Sequence, residues 1–478
     1  MSRPTRGQVL RSLAALPLLT SLRSTPVTTT STLSASADRH AETLRGVRGP
    51  VFRPGDAGFA EEVAGFNAAF QPRPSLVVGA TTADDVAAAV RYARATGAKA
   101  RVQATGHGLS SDLAGTVLVT TKRLTGLRID PRHRTATVGA GVRWKAVVDA
   151  AAEHGLAPLC GSSSQVGAVG YTLGGGHGSL GRRYGYAADH VRSLDVVTAD
   201  GHRRHVDVLH HHDLFWALRG GRDGLAVVTS MTVDLVPVTR LHGGGIFHPG
   251  TSAKEVLHAW RTWAPTLPEH VSTSVALLRL PPDPALPEPL RGQFVVHVRF
   301  TSTGTAAEAD RLLQPVRAAA PVLIDTIGEM PFTAIDSVHA DPTRPMPVAQ
   351  SGTGLRELCA GTLDAVLARA DAASGSTLAM VELRLLGGAL ARQPRVPNAV
   401  TGRGAQFSLL GLGVLAGPGA ERVPQQLHAL TTTVQPWATA GPLNLAGGGD
   451  HSALWSAADR ARLATVRHRH DPRGTLAP

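Results

Sequence analysis

The order of apolar and polar positions along the 478-residue chain predicts alternating strands and helices from Arg73 onward. Leu76 to Val78 is an apolar run. Thr82, with Asp85 three positions later, reads as the cap of a helix over Asp84 to Thr96 that Gly97 stops. Ala100 to Ala104 predicts a strand running into the tight turn Thr105-Gly106-His107-Gly108, and Val117 to Thr121 resumes extended structure. Arg128 to Asp130 and Thr135 to Val138 read as a hairpin, followed by a helix over Trp144 to His154. Ser193 to Thr198 and Arg203 to Val208 form a second hairpin about the turn Asp200-Gly201. Asp213 caps a short helix over Leu214 to Leu218, and Val227 to Val236 is a long strand. After Pro237 the pattern changes to strands at Phe294 to Phe300, Met380 to Leu386 and Phe407 to Leu415, with helices at Ala306 to Leu313 and Leu355 to Ala370. A helix over Ala457 to Arg469 ends the chain. The fold class is α+β, two-lobed, with a helix-covered sheet in the second lobe.

Composition narrows the function classes. The chain is too long for one typical core, which favours two lobes. The net charge of +12 suggests nucleic acid, but all except four of the 48 basic residues are arginines scattered singly, and aromatics make up only 4%. Without stacking platforms or a basic block, nucleic-acid binding is set aside. Two cysteines, Cys160 and Cys359, exclude a disulfide-stapled scaffold. Arg3, Arg6 and Arg11 precede the apolar stretch Ser12 to Leu22, and Ala35-Ser36-Ala37 precedes Asp38, so residues 1–37 read as a signal peptide. The segment around Arg6 and Gly7 is similar to a twin-arginine export motif with its second Arg replaced. The expectation is a secreted chain, with a cytoplasmic one as the alternative, and no apolar run is long enough for a membrane span.

Glycine carries the candidate chemistry. Gly176-His177-Gly178-Ser179-Leu180-Gly181 matches the dinucleotide fingerprint literally, but it follows Gly170 in a loop-like run and its acidic partner, Asp195, lies inside an apparent strand. A nicotinamide enzyme is therefore disfavoured. Two separate Gly-rich turns, at His107 and at Gly174 to Gly178, can instead offer backbone N–H groups to one pyrophosphate. His210-His211-His212, near His202 and His205, suggests a metal, but adjacent turn histidines diverge, so no metal site is expected.

Four stretches carry a resemblance: Val102-Gln-Ala-Thr-Gly-His-Gly108, Gly161-Ser-Ser-Ser-Gln-Val-Gly-Ala-Val-Gly-Tyr-Thr-Leu-Gly-Gly-Gly176, Tyr184-Gly-Tyr-Ala-Ala-Asp-His190 and Asp213-Leu-Phe-Trp-Ala-Leu-Arg-Gly-Gly221. Together they resemble the berberine bridge enzyme-like family, whose FAD domain is of the vanillyl-alcohol oxidase and p-cresol methylhydroxylase type. The resemblance spans about Leu44 to Asp471. It implies FAD bonded through its 8α-methyl carbon to His107, with contacts from Thr105, Gly106 and Gly108. Further contacts are implied from Gly161, Ser162, Ser163, Val166, Gly167, Gly170, Tyr171, Gly174, Gly175, Gly176 and Gly178, and from Val228 and Asn444. Ser163 stands where some relatives place a second flavin-bonding cysteine. Cys160 lies three residues too early, so a single bond is implied. Val166, at the position described as an oxygen gate, implies oxidase behaviour.

The chain departs from the family at Gly224-Leu225-Ala226 and lacks a Tyr just before Asn444. Glu382 and Arg384, on one face of a strand similar to the family's substrate strand, are the candidate catalytic pair. Glu382 with a raised pKa is a candidate base, and a purely structural Glu382 to Arg384 pair is the alternative. The domains expected are an FAD-binding domain over 38–240, with its core at about 71–240, a substrate-binding domain over 241–440, and a segment over 441–478 that returns to the first. The function expected is removal of hydride from a small organic substrate to flavin, with O2 as acceptor and H2O2 as product. A non-catalytic flavin- or ligand-binding protein on the same fold, or a dehydrogenase using another acceptor, is the alternative.

Overall fold

The computed structural model describes residues 42–222 and 224–476; the expected signal peptide over residues 1–37 and Asp223 lie outside them. The described residues build three sheets. In the first, Leu76–Gly79, Val117–Thr120 and Ala100–Gln103 lie parallel in that order, with the short Val51–Phe52 antiparallel at one edge. Helix Ala83–Thr96 covers this sheet through Val86, Ala89, Val90 and Ala93. Its entry is fixed by a reciprocal capping box between Thr82 and Asp85, and its exit by Gly97 at φ 73°.

The second sheet orders Leu127–Asp130, Thr135–Gly139, Val227–Asp234, Val191–Val197 and Arg203–Asp207, all antiparallel. Two expectations fail around it. Gly170 lies in a short helix, Ala168–Leu173, because that segment buries Ala168 and Val169 against the same core as Trp144, and packing outweighs the helix cost of glycine. Asp213 is not a helix cap: the helix runs His212–Gly221 with His211 at its N-cap, and Asp213 instead pairs with Arg469 at 2.7 Å and His470 at 3.3 Å. Those two residues end the helix Ala457–His470, whose Leu463 and Val466 join the core of this lobe.

The second lobe is a nine-stranded antiparallel sheet, matching the helix-covered sheet expected from sequence. At its centre Arg240–Pro249, Phe294–Ser302, Val271–Arg279, Met380–Leu385 and Phe407–Val414 lie side by side. Alternation divides its two faces. Val296, Val298 and Phe300 join Val275, Leu277, Val381 and Leu383 beneath Val256, Leu257 and Trp260 of helix Ala253–Trp263 and Val366 of helix Ala360–Ala370. The intervening residues His297, Arg299, Thr301, Ser274, Glu382 and Arg384 are polar and therefore occupy the other face.

Arg182, on the short helix Gly181–Tyr184 of the first lobe, ties the lobes together. It donates from Nε to the Val271 carbonyl at 2.8 Å, from Nη2 to that of Leu267 at 2.9 Å, and from Nη1 to that of Leu386. All three bonds are buried and charge-assisted. Replacing Arg182 with Met keeps the volume but strands three carbonyls, so Arg182→Met is expected to destabilise the protein by on the order of 3 kcal/mol. A drop of several degrees in the calorimetric melting temperature checks this; an unchanged melt would mean the lobes are held elsewhere.

Candidate functional site

The Thr105–Gly108 turn leaves strand Ala100–Gln103 and is pinned from the N-terminal side. Phe66 N donates to the Thr105 carbonyl at 2.8 Å, and Asn67 N to that of Gly106 at 3.2 Å. Gly106 has φ +70°, and a Cβ there would stand 2.5 Å from Gly65 Cα, so both the conformation and the space demand glycine. His107 stacks flat on Phe66, with ring centroids 4.0 Å apart, and its Nδ1 lies 2.8 Å from Thr105 Oγ1. Burial, helped by the Arg143 cation, pushes the His107 pKa down to about 4. The ring is neutral at pH 7.

The second glycine segment meets this turn. A Cβ on Gly167 would be 3.5 Å from Thr105 Oγ1. Gly178 passes so close to Cys160 that a Cβ would lie 1.9 Å from its carbonyl oxygen, and Gly161 and Gly176 both abut the Tyr171 ring. Asn444 donates to the Tyr171 carbonyl at 2.9 Å, and its side chain fills the space a Cβ on Gly174 would need. Gly175 and Gly176 have φ of 104° and 71°. Thr105 to Gly108, Gly161, Gly167, Tyr171, Gly174 to Gly178 and Asn444 are thus one neighbourhood. Val166 is half-buried beside them, whereas Val228 sits inside strand Val227–Asp234 in the hydrophobic core. The Cys160 thiol is raised to about 12 by burial, which suppresses its thiolate.

These residues fit a flavin dinucleotide by their unused hydrogen-bonding groups. Among the described residues, the backbone N–H groups of His107, Gly108, Ser162 and Ser163 donate to no protein acceptor. Two glycine-rich turns carrying such donors suit a pyrophosphate. A side chain at Gly170 would meet nothing within 4 Å, and the buried Tyr171 hydroxyl has no partner.

Next to Gly178 a narrow, half-open cleft of about 40 Å³ lies between the lobes, lined by His177, Arg182, Ser274, Arg299, His339 and Arg384 among others. Sheet register assembles its floor: Ser274 faces Arg299 on one neighbouring strand and Arg384 on the other. Glu382 lies beneath, fully buried. It accepts from Ser274 Oγ at 2.8 Å, from Arg384 Nε at 2.7 Å, and from Arg299 Nη1. Burial alone would raise its pKa, but Arg384 and Arg299 outweigh that and hold it well below the usual glutamate range. Of the two readings the sequence allows, a base with a raised pKa and a structural pair with Arg384, the pKa direction goes against the first: Arg384 lowers it most, and the register adds Arg299. His177 is lowered to about 3, first by burial and then by Arg384, and its buried Nε2 has no partner. Neither has the buried Nδ1 of His339. Sequence reasoning missed Arg182, Arg299, His177 and His339 as site residues. The alternating Val-His-Val-Arg-Phe-Thr of 296–301 was the signal available for Arg299.

The fold and these turns define a flavoprotein class: residues 74–207 match the family model described as FAD binding domain, so the chain carries an FAD-binding domain. Within that class its fold is that of berberine bridge enzyme and its relatives. Berberine bridge enzyme from Eschscholzia californica superposes with a TM-score of 0.78 at 18% identity, over 92% of this chain and 98% of that one. 6-Hydroxy-D-nicotine oxidase from Arthrobacter nicotinovorans gives 0.75 at 24% identity, over 90% and 96%. In sequence, an uncharacterized FAD-linked oxidoreductase of Bacillus subtilis is 29% identical over 63% of this chain, and (R)-6-hydroxynicotine oxidase of Paenarthrobacter nicotinovorans 32% over 48%. The matched stretches span 65% and 48% of those relatives' lengths. Among the described residues no helix is long and apolar enough to cross a membrane.

A carboxylate whose folded pKa is depressed adds stability above its unfolded pKa and loses it as pH falls through the folded value. For Glu382, whose ordinary value is 4.5, that stability is present at neutral pH and declines once the pH drops below about 4.5. Glu382→Gln should therefore show a flatter melting temperature than wild type between pH 5 and pH 3. Parallel acid profiles would remove Glu382 as a source of acid sensitivity.

Proposed function

We propose that the protein is an FAD-dependent oxidoreductase, an oxidase that removes hydride from a small organic substrate and carries its flavin covalently on His107. The observation that supports this best is the meeting of the His107 turn with the 161–178 segment, with backbone donors free at His107, Gly108, Ser162 and Ser163, beside a pocket between the lobes. FAD bound here would supply the two-electron acceptor, and the oxidase reading has O2 as terminal acceptor and H2O2 as product.

The chain's own residues do the rest. His107 is held neutral by burial, which keeps a ring nitrogen nucleophilic toward the 8α-methyl carbon. Thr105 Oγ1 and the flat stack on Phe66 fix the ring's orientation. Val166 is small enough to leave O2 an approach. In the pocket, Arg384 orients substrate, and Glu382 stays ionised to hold Arg384 and Arg299 in place. His177 lines the pocket as a neutral ring, because burial and Arg384 disfavour its protonation. Export through residues 1–37 belongs to the same reading.

Acid precipitation of purified protein separates bonded from dissociable flavin. A yellow pellet is expected from wild type and a colourless one from His107→Ala, with peroxide released on turnover. Yellow supernatant from wild type would refute the bond at His107, and colourless protein purified with FAD supplied would refute the flavoenzyme itself.

A further inference from the structure

We infer that the pocket between the lobes takes a substrate bearing a carboxylate, held by Arg384 and Arg299. This rests on the oxidoreductase reading and adds the substrate's chemical class. Three arginines, Arg182, Arg299 and Arg384, line the pocket, and no acidic residue does. Glu382 lies behind them and supplies one negative charge, shared between Arg299 and Arg384. The other acidic groups near these cations are engaged or peripheral: Glu269 is bonded to Arg392 at 2.6 and 2.8 Å, and Asp341, near Arg384, is half-exposed. Arg182 spends its donors on carbonyl oxygens, which neutralise no charge. A buried surplus of positive charge is costly in a protein interior unless an anion joins it.

The free donors are placed for such an anion. Arg384 uses Nε and Nη2 on Glu382, and Arg299 uses Nε on His297 and Nη1 on Glu382. Nη1 of Arg384 and Nη2 of Arg299 make no hydrogen bond among the described residues. Both side chains are almost completely buried, Arg299 at 3% and Arg384 at 14% exposure, so bulk water does little to solvate them. One free nitrogen from each of two arginines can meet the two oxygens of a single carboxylate through charge-assisted hydrogen bonds. His177 lines the same pocket and is 7% exposed. Cross-strand register sets Arg299 and Arg384 either side of Ser274, so the two can address one group. The cleft is narrow, about 40 Å³, and open to one side, so it admits the carboxylate head of a small acid while the rest of the ligand lies toward the opening.

The test uses the purified full-length protein, titrated calorimetrically with benzoate and with its neutral counterpart benzamide. Benzoate is expected to bind at least about tenfold more tightly than benzamide. Arg384→Gln should weaken benzoate at least about tenfold and leave benzamide unchanged. Arg299→Gln, which removes the second cation and leaves Glu382 paired with Arg384, should likewise weaken benzoate at least about tenfold and leave benzamide unchanged; this variant decides the matter if Arg384→Gln fails to fold. Equal affinity for the two ligands, or an Arg299→Gln variant that binds benzoate as tightly as wild type, overturns the assignment. Flavin absorbance read on the same samples keeps the two readings apart. Colourless protein that still prefers benzoate sinks the oxidoreductase reading and leaves an anion pocket, whereas yellow protein without the preference sinks only the carboxylate.

Discussion

Everything at the site depends on backbone coming closer to backbone than a side chain permits. Gly106 rests against Gly65 and Gly178 against the Cys160 carbonyl, while the absent side chain of Gly174 leaves room for that of Asn444. Each contact joins segments distant in sequence, and together they bring the His107 turn, the 161–178 segment and the tail around Asn444 to one place. A single Cβ at any of these points would separate them by an ångström or more.

The second lobe solves a different problem. Its sheet needs one apolar face beneath the helices, and strict alternation then obliges the other face to take whatever residues remain. Here those are arginine, glutamate, histidine, serine and threonine. Glu382 is what makes that arrangement tolerable, since without it Arg299 and Arg384 would stand side by side with nothing to separate their charges. The carboxylate acts as a fixed counter-ion set behind the working surface. Its acid strength follows from that position.

Much of the frame was legible in the sequence because its signals are local. Thr82, Asp85 and Gly97 mark a helix within a few residues of one another, and the turn at His107 announces itself by glycines on both sides. Helix Ala168–Leu173 was not legible, because Gly170 lowers its local propensity and only burial against Trp144 recovers it. Asp213 looked like a cap because a capping residue and an ion-pair residue have the same identity; Arg469, more than 250 positions away, decides between them. The pocket was the least legible part. Glu382 and Arg384 sit two apart on one strand, but Arg299 reaches them only through the pairing of three strands, and register is a property of the assembled sheet.

Arg182 gives the two lobes a shared fate. Its guanidinium belongs to one lobe and its three acceptors to the other, so neither can loosen at this point without exposing a buried cation or orphaned carbonyls. Hinged opening of the kind that many two-lobed proteins use to admit ligands is therefore expensive here. A ligand enters with the lobes fixed together at Arg182, and the width of the cleft it meets is set by that tie.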